Sequence, residues 1–202
     1  MSSRLAAPIF AAVLGLMVLP AAAQTPPPSQ PAPPAAPPAA AVPSPLQQND
    51  AFGEEVMLSE KPIVYLKGTG RWDSAFETLI ESFKTLNQYL DKQGIAPNGP
   101  AMTIYTQTDD TGFQFRAALP IPQEPKDPPK GDIAIGKSPA GKALKFVHRG
   151  SFDAMDTTYE AITNYLDEKQ LEAKELFIEE YIGDPVKSTE DRLVVNVYVP
   201  VK

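Results

Sequence analysis

The chain has 202 residues, no cysteine, one histidine and a formal net charge of −7. That length holds one domain or two small ones. The lack of cysteine excludes disulfides, thiol chemistry and a lipid-attachment thiol, and one histidine argues against a zinc, copper or iron site, so no metal and no cofactor is expected. The acidic balance, with no basic patch and no helix-turn-helix signature, disfavours nucleic acid as a partner.

The first segment, MSSRLAAPIFAAVLGLMVLPAAAQ, has a single basic residue, Arg4, an apolar run over 5–19, and small residues at Ala21, Ala22 and Ala23. This order is that of a secretory signal peptide over 1–23. The run is short for a transmembrane helix, so a periplasmic protein with no stable membrane anchor after cleavage is expected. Residues 24–50 follow as a Pro/Ala-rich stretch, with ten of the 23 prolines inside 25–45. Proline and alanine cannot build a core, and repeated proline favours an extended, disordered tether. Residues 51–202 are left as the folded domain, long enough for one well-buried core.

An internal repeat organises that domain. Gly70 and Gly150, Trp72 and Phe152, Asp73 and Asp153, and Pro120 and Pro200 are each 80 residues apart, while Tyr89 and Tyr165, and Tyr105 and Tyr181, are 76 apart. The difference of four residues is close to one helical turn. Repeat 1 spans about 52–121 and repeat 2 about 132–202, joined by the Pro-rich 122–131. In chain order the first copy reads as strands at 56–58 and 63–67, a helix, and strands at 102–106 and 113–119. The helix is marked by Phe76, Leu79, Ile80, Phe83, Leu86 and Leu90 at spacings of three and four. The second copy repeats this with strands at 133–135 and 144–148, a helix marked by Met155, Tyr159, Ile162 and Leu166, and strands at 177–182 and 193–199. Asp73 and Asp153 are expected as N-caps, with Ser74 and Glu77 as an alternative capping box. The predicted class is α+β: a tandem duplication of a ββαββ unit, giving two antiparallel sheets, each with one main helix, and a ligand cleft between the halves.

Side chains alternate along strands, so Glu179 and Glu180 point to opposite faces. Met102 and Ile104 align with Ile178 and Glu180, and this largely aliphatic set is expected under the helix. Thr103 and Tyr105 align with Glu179 and Tyr181, a set expected to face the other half. The candidate site is then Glu179 with Phe177, Tyr181, Tyr105 and Tyr198, and with Arg116 and Asn196 on the same mixed face. A carboxylate among aromatic rings attracts organic cations, each ring face adding about 0.5–2 kcal/mol. Two plainer readings stand beside it: a Glu179–Arg116 ion pair, or a solvated glutamate. His148 is read as closing the turn from strand to helix, Trp72 as packing at the helix start, and Ser151 lacks an arranged base for nucleophilic attack.

Three segments together resemble the gyrase-inhibitor-like, or bacterial transcription-activator effector-binding, superfamily: HRGSF from His148, EEYIGDP from Glu179 and NVYVPV from Asn196. The resemblance covers about 52–202. It implies duplicated α+β units with a ligand pocket between them. In multidrug-sensing members the glutamate of the third strand helps hold lipophilic cations, which places that role on Glu179 with Tyr181 beside it. Some relatives are hydrolases using a pocket glutamate and tyrosine. Transcription-factor relatives carry a DNA-binding domain, whereas this chain begins with the signal-like segment and tether. The leading expectation is an exported, periplasmic domain binding an amphipathic or cationic small organic ligand, with no assigned protein partner. The alternatives are a hydrolase using the Glu/Tyr pair and a non-catalytic structural or interaction module.

Overall fold

A computed structural model describes residues 52–202; the expected signal peptide and Pro/Ala tether lie outside the described residues. The duplication is visible in the element order: β1 (Glu54–Leu58), β2 (Pro62–Arg71), α1 (Ala75–Gln93), β3 (Met102–Thr108) and β4 (Gly112–Pro120), then β5 (Ile133–Lys137), β6 (Gly141–Gly150), α2 (Met155–Lys169), β7 (Phe177–Tyr181) and β8 (Leu193–Pro200). Helix α1 has 19 residues and α2 has 15, so the second copy is short by the one turn that the spacing of the tyrosines indicates. Each helix follows a 3-10 turn, Trp72–Ser74 or Phe152–Ala154, and neither has a side-chain cap at its N-terminus. The expected caps are therefore absent, and Asp73 instead meets Arg71 at 3.3 Å. Both helices end on a left-handed residue, Gly94 in α1 and Gln170 in α2.

The expectation of two sheets is corrected. All eight strands form one antiparallel sheet, in the order β1-β6-β8-β7-β3-β4-β2-β5. The first strands of the two copies are exchanged: β1 pairs with β6 of the second copy, and β5 with β2 of the first. The halves are zipped at the centre by β3 and β7, where Thr103 lies opposite Glu179 and Tyr105 opposite Phe177. One sheet has two edges where two sheets would have four, so fewer strand edges are left unpaired.

The exchange bends the sheet. Strands β1 and β2 stand six places apart in it, yet only residues 59–61 connect them. In a flat sheet six places span about 29 Å, while the four Cα steps from Leu58 to Pro62 reach about 15 Å at most. The sheet must curl until its edges approach at this end, and residues 138–140 impose the same on β5 and β6. The two crossovers are tied together, Ser138 N–H donating to the Lys61 carbonyl at 2.9 Å and Lys61 N–H to Ser138 Oγ at 3.0 Å. Inside the curl, a small apolar cluster of Ile63, Met102, Ile104, Ala118 and Ile178 is buried.

Both helices lie on the other, outer face and share its main core. From α1 come Leu79, Phe83, Leu86 and Leu90, and from α2 Met155 and Ile162; beneath them are Phe113, Phe115, Ala117, Leu119, Val195, Val197 and Val199. Each such side chain contributes about 1.5–3 kcal/mol by leaving water. The copies exchange volume within this core. Gly68 lies opposite Phe115, and His148 opposite Val195. A Cβ at Gly68 would come within 2.6 Å of the Phe115 ring, so the first copy has a large ring on β4 and none on β2.

Candidate functional site

Glu179 is 1% exposed, and it faces the helices. The expected faces of the third strands are therefore inverted: Thr103, Tyr105, Glu179 and Tyr181 lie under the helices, and Met102, Ile104, Ile178 and Glu180 face the inside of the curl. A buried carboxylate is tolerable there because three hydroxyls reach it. Tyr181 and Tyr105 donate to Oε2 at 2.7 and 3.1 Å, and Tyr159 of α2 donates to Oε1 at 2.8 Å. With its proton committed to Glu179, the Tyr181 oxygen accepts from Thr103 Oγ1 at 3.5 Å.

The electrostatics follow from burial. Desolvation pushes the Glu179 carboxyl above its ordinary range, and the hydroxyls of Tyr181, Tyr159 and Tyr105 oppose this by stabilising the charged form. The three phenols are raised well above their usual value, chiefly by burial and then by the charge of Glu179, so they remain protonated donors. In this state Glu179 is an acceptor, and among the described residues its side-chain partners are the three hydroxyls, with no cation.

The cluster forms one wall of a cavity of about 710 Å3. Tyr105, Thr108, Trp72 and Ala75 enter from the first copy, and Phe152, Asp153, Met155, Asp156, Tyr159, Phe177 and Glu179 from the second. Four of the five lining rings pack in two pairs. The Trp72 indole stacks on Tyr105 at 6.4 Å between centroids and lies 4.8 Å from Phe113, and Tyr159 meets Phe177 edge-on at 6.0 Å. The indole is fixed by Nε1–H donating to the Asp109 carbonyl at 2.7 Å. Among the described residues, three carboxylates line the cavity, from Glu179, Asp153 and Asp156, and no lysine or arginine does. Near Asp153, Glu190 is raised by burial and then by the charges of Asp153 and Glu77, which marks a local surplus of negative charge.

Of the sequence candidates, the fold brings together Glu179, Tyr181, Tyr105 and Phe177. It places Tyr198, Asn196 and Arg116 on the opposite face. Tyr198 hydroxyl and Asn196 Nδ2 donate to Glu180 Oε2 at 2.9 and 3.2 Å, and Arg116 lies 5.2 Å over the Tyr65 ring. The alternative of a Glu179–Arg116 ion pair is thereby ruled out, and so is a solvated Glu179. Sequence reasoning missed Tyr159, Trp72, Phe152, Asp153, Met155 and Asp156 as lining residues. The signal for Tyr159 was available: it takes the place of Leu79, a buried core residue of α1, and a phenol in a core stripe needs a buried partner.

His148 holds the strand-to-helix turn beside the cavity. It is fully buried, with Nε2–H donating to the Ser151 carbonyl at 2.9 Å and Nδ1 accepting from Thr158 Oγ1 at 2.8 Å. Burial lowers its pKa and keeps it neutral. Among the described residues no group of histidine, aspartate and glutamate converges to hold a metal ion, and no helix is long and apolar enough to cross a membrane.

No curated protein matches the chain in sequence. Solved structures do match in fold. The EcmrR–DNA complex superposes with a TM-score of 0.63 at 16% identity over 74% of this chain and 57% of that one, so this chain spans little more than half of EcmrR. The isolated EcmrR C-terminal domain gives 0.62 at 15% identity over 74% of this chain and 96% of that one. SAV2435 bound to tetraphenylphosphonium gives 0.53 at 17% identity over 75% and 94%. These likenesses run against the expectation of an exported, periplasmic protein, because EcmrR, which shares the fold, is solved in a complex with DNA. The model of the GyrI-like small molecule binding domain matches residues 54–202, and the chain belongs to that family.

Proposed function

We infer that this chain is a non-catalytic, ligand-sensing module of the kind that serves cytoplasmic regulators, and that its effector is an organic cation with apolar bulk. The observation that carries this reading is the cavity lining: among the described residues it holds five aromatic rings and three carboxylates, one of them buried, and no basic side chain. Glu179 is the anchor, Tyr105, Tyr159 and Tyr181 hold it charged and oriented, and Phe177, Trp72 and Phe152 supply ring faces to the bound cation. A cation supplies the countercharge that the buried carboxylate lacks. Tetraphenylphosphonium, the ligand in the SAV2435 structure, has the required charge and bulk.

The test is a calorimetric titration of the full chain with tetraphenylphosphonium. Saturable binding is expected, weakened about tenfold or more (~1.4 kcal/mol) in Glu179→Gln. Equal affinity in the wild type and in a folded Glu179→Gln variant would remove Glu179 from the role and the reading with it.

A further inference from the structure

A second cavity lies on the opposite face, inside the curl of the sheet. Its volume is about 230 Å3, below the range of drug-sized pockets. The floor is apolar, made by Met102, Ile178 and Leu58, and the two crossovers close it with Lys61 and Ser138. Glu180 and Tyr198 supply its acidic wall. The adjacent carboxylates of β7 thus serve two different cavities, Glu179 the outer and Glu180 the inner.

The carboxylate of Glu180 is held on one side only. Oε2 accepts from the Tyr198 hydroxyl at 2.9 Å and from Asn196 Nδ2 at 3.2 Å. Oε1 faces the Lys61 ammonium at 3.7 Å, too long for a hydrogen bond. The Glu180 side chain is 13% exposed and that of Lys61 46%. A half-exposed pair at this length is weakly held and easily opened. The backbone of Lys61 is fixed by its two hydrogen bonds to Ser138, so its ammonium stays near the mouth.

We propose that this inner cavity is a second binding site, for a small zwitterion with an apolar tail, of the size of an aliphatic amino acid. Its ammonium would bind Glu180 Oε1, its carboxylate Lys61 Nζ, and its tail the floor of Met102, Ile178 and Leu58. One anionic and one cationic group side by side above an apolar floor match such a ligand. A simple cation would leave Lys61 displaced without a partner, and a simple anion would leave Glu180 so.

The two cavities carry their own reporters. Met57 and Met102 line the inner one and Met155 the outer one. In full-length protein with 13C-labelled methionine methyls, L-leucine is expected to move the Met57 and Met102 signals saturably and leave Met155 in place. Glu180→Gln and Lys61→Met should each weaken this by about tenfold, and Glu179→Gln should leave it unchanged. Tetraphenylphosphonium should move Met155 instead. No saturable shift with leucine, a response retained in Glu180→Gln or Lys61→Met, or equal binding of isopentylamine, which lacks the carboxylate, would overturn the proposal. Lys61 is half-exposed, so the lysine variant decides the matter if the glutamate variant fails to fold.

Discussion

The most informative single change is Tyr159→Phe. It removes one oxygen, the donor to Glu179 Oε1 at 2.8 Å, and leaves Tyr181 and Tyr105 on Oε2. A hydrogen bond to a charged group contributes about 1.5–3 kcal/mol, and one between neutral groups about 0.5–1.5. Where Glu179 is ionised, above its folded pKa, the loss should be about 2 kcal/mol, or a fall of about 4–8 °C in Tm for a domain of this size. The sign of the pH dependence is fixed by Glu179. Its folded pKa is already above the unfolded one, and losing a donor to the charged form raises it further. The deficit of the variant is therefore largest above the folded pKa and shrinks toward about 1 kcal/mol as pH falls through it. Urea unfolding of both proteins at about pH 8 and about pH 4.5 measures this. A deficit that does not change with pH, or grows in acid, would refute a charged Glu179 held by tyrosine hydroxyls.

Three further outcomes follow from the fold. Trp72→Ala removes a ring that is 45% exposed, so stability should fall by about 1–3 kcal/mol through the lost ring contacts and the hydrogen bond to Asp109, while tetraphenylphosphonium affinity of the folded variant falls about tenfold; urea unfolding and calorimetry separate the two. Gln170 ends α2 at φ 55°, where glycine is favoured, and Gln170→Gly should stabilise the protein by about 1 kcal/mol in urea unfolding. Gly68→Ala would push a methyl to 2.6 Å from the Phe115 ring and should cost about 1–3 kcal/mol, part of which Phe115→Leu in the same chain returns.

Much of this architecture is legible in the sequence, and the illegible part has physical causes. The repeat, the missing helical turn and the eight strands follow from spacing and alternation. The pairing of strands does not. Three-residue connections after β1 and β5 look like hairpin turns within each copy, yet here they cross a curled sheet to the other copy. The faces of β3 and β7 were inverted for a different reason. Thr103, Tyr105, Glu179 and Tyr181 look like a polar set facing away from the helix toward the other half, and only mutual hydrogen bonding makes them compatible with burial beneath the helices. The third hydroxyl comes from Tyr159 on α2, a contact that no local pattern specifies. The convergence of Glu179, Tyr105, Tyr181 and Phe177 survived this inversion because all four alternate together. Tyr198, Asn196 and Arg116 belong to the other set and left with it.

The account rests on charge, and one measurement isolates it. Trp72 is the sole tryptophan of the chain and lines the outer cavity, so its fluorescence reports occupancy. Tetraphenylphosphonium and tetraphenylborate share shape and apolar area and differ in the sign of their charge. Saturable quenching by the cation, none by the anion, and a narrowed difference in Glu179→Gln is the result expected. Equal binding of the two ions would contradict the claim that a buried carboxylate selects the ligand.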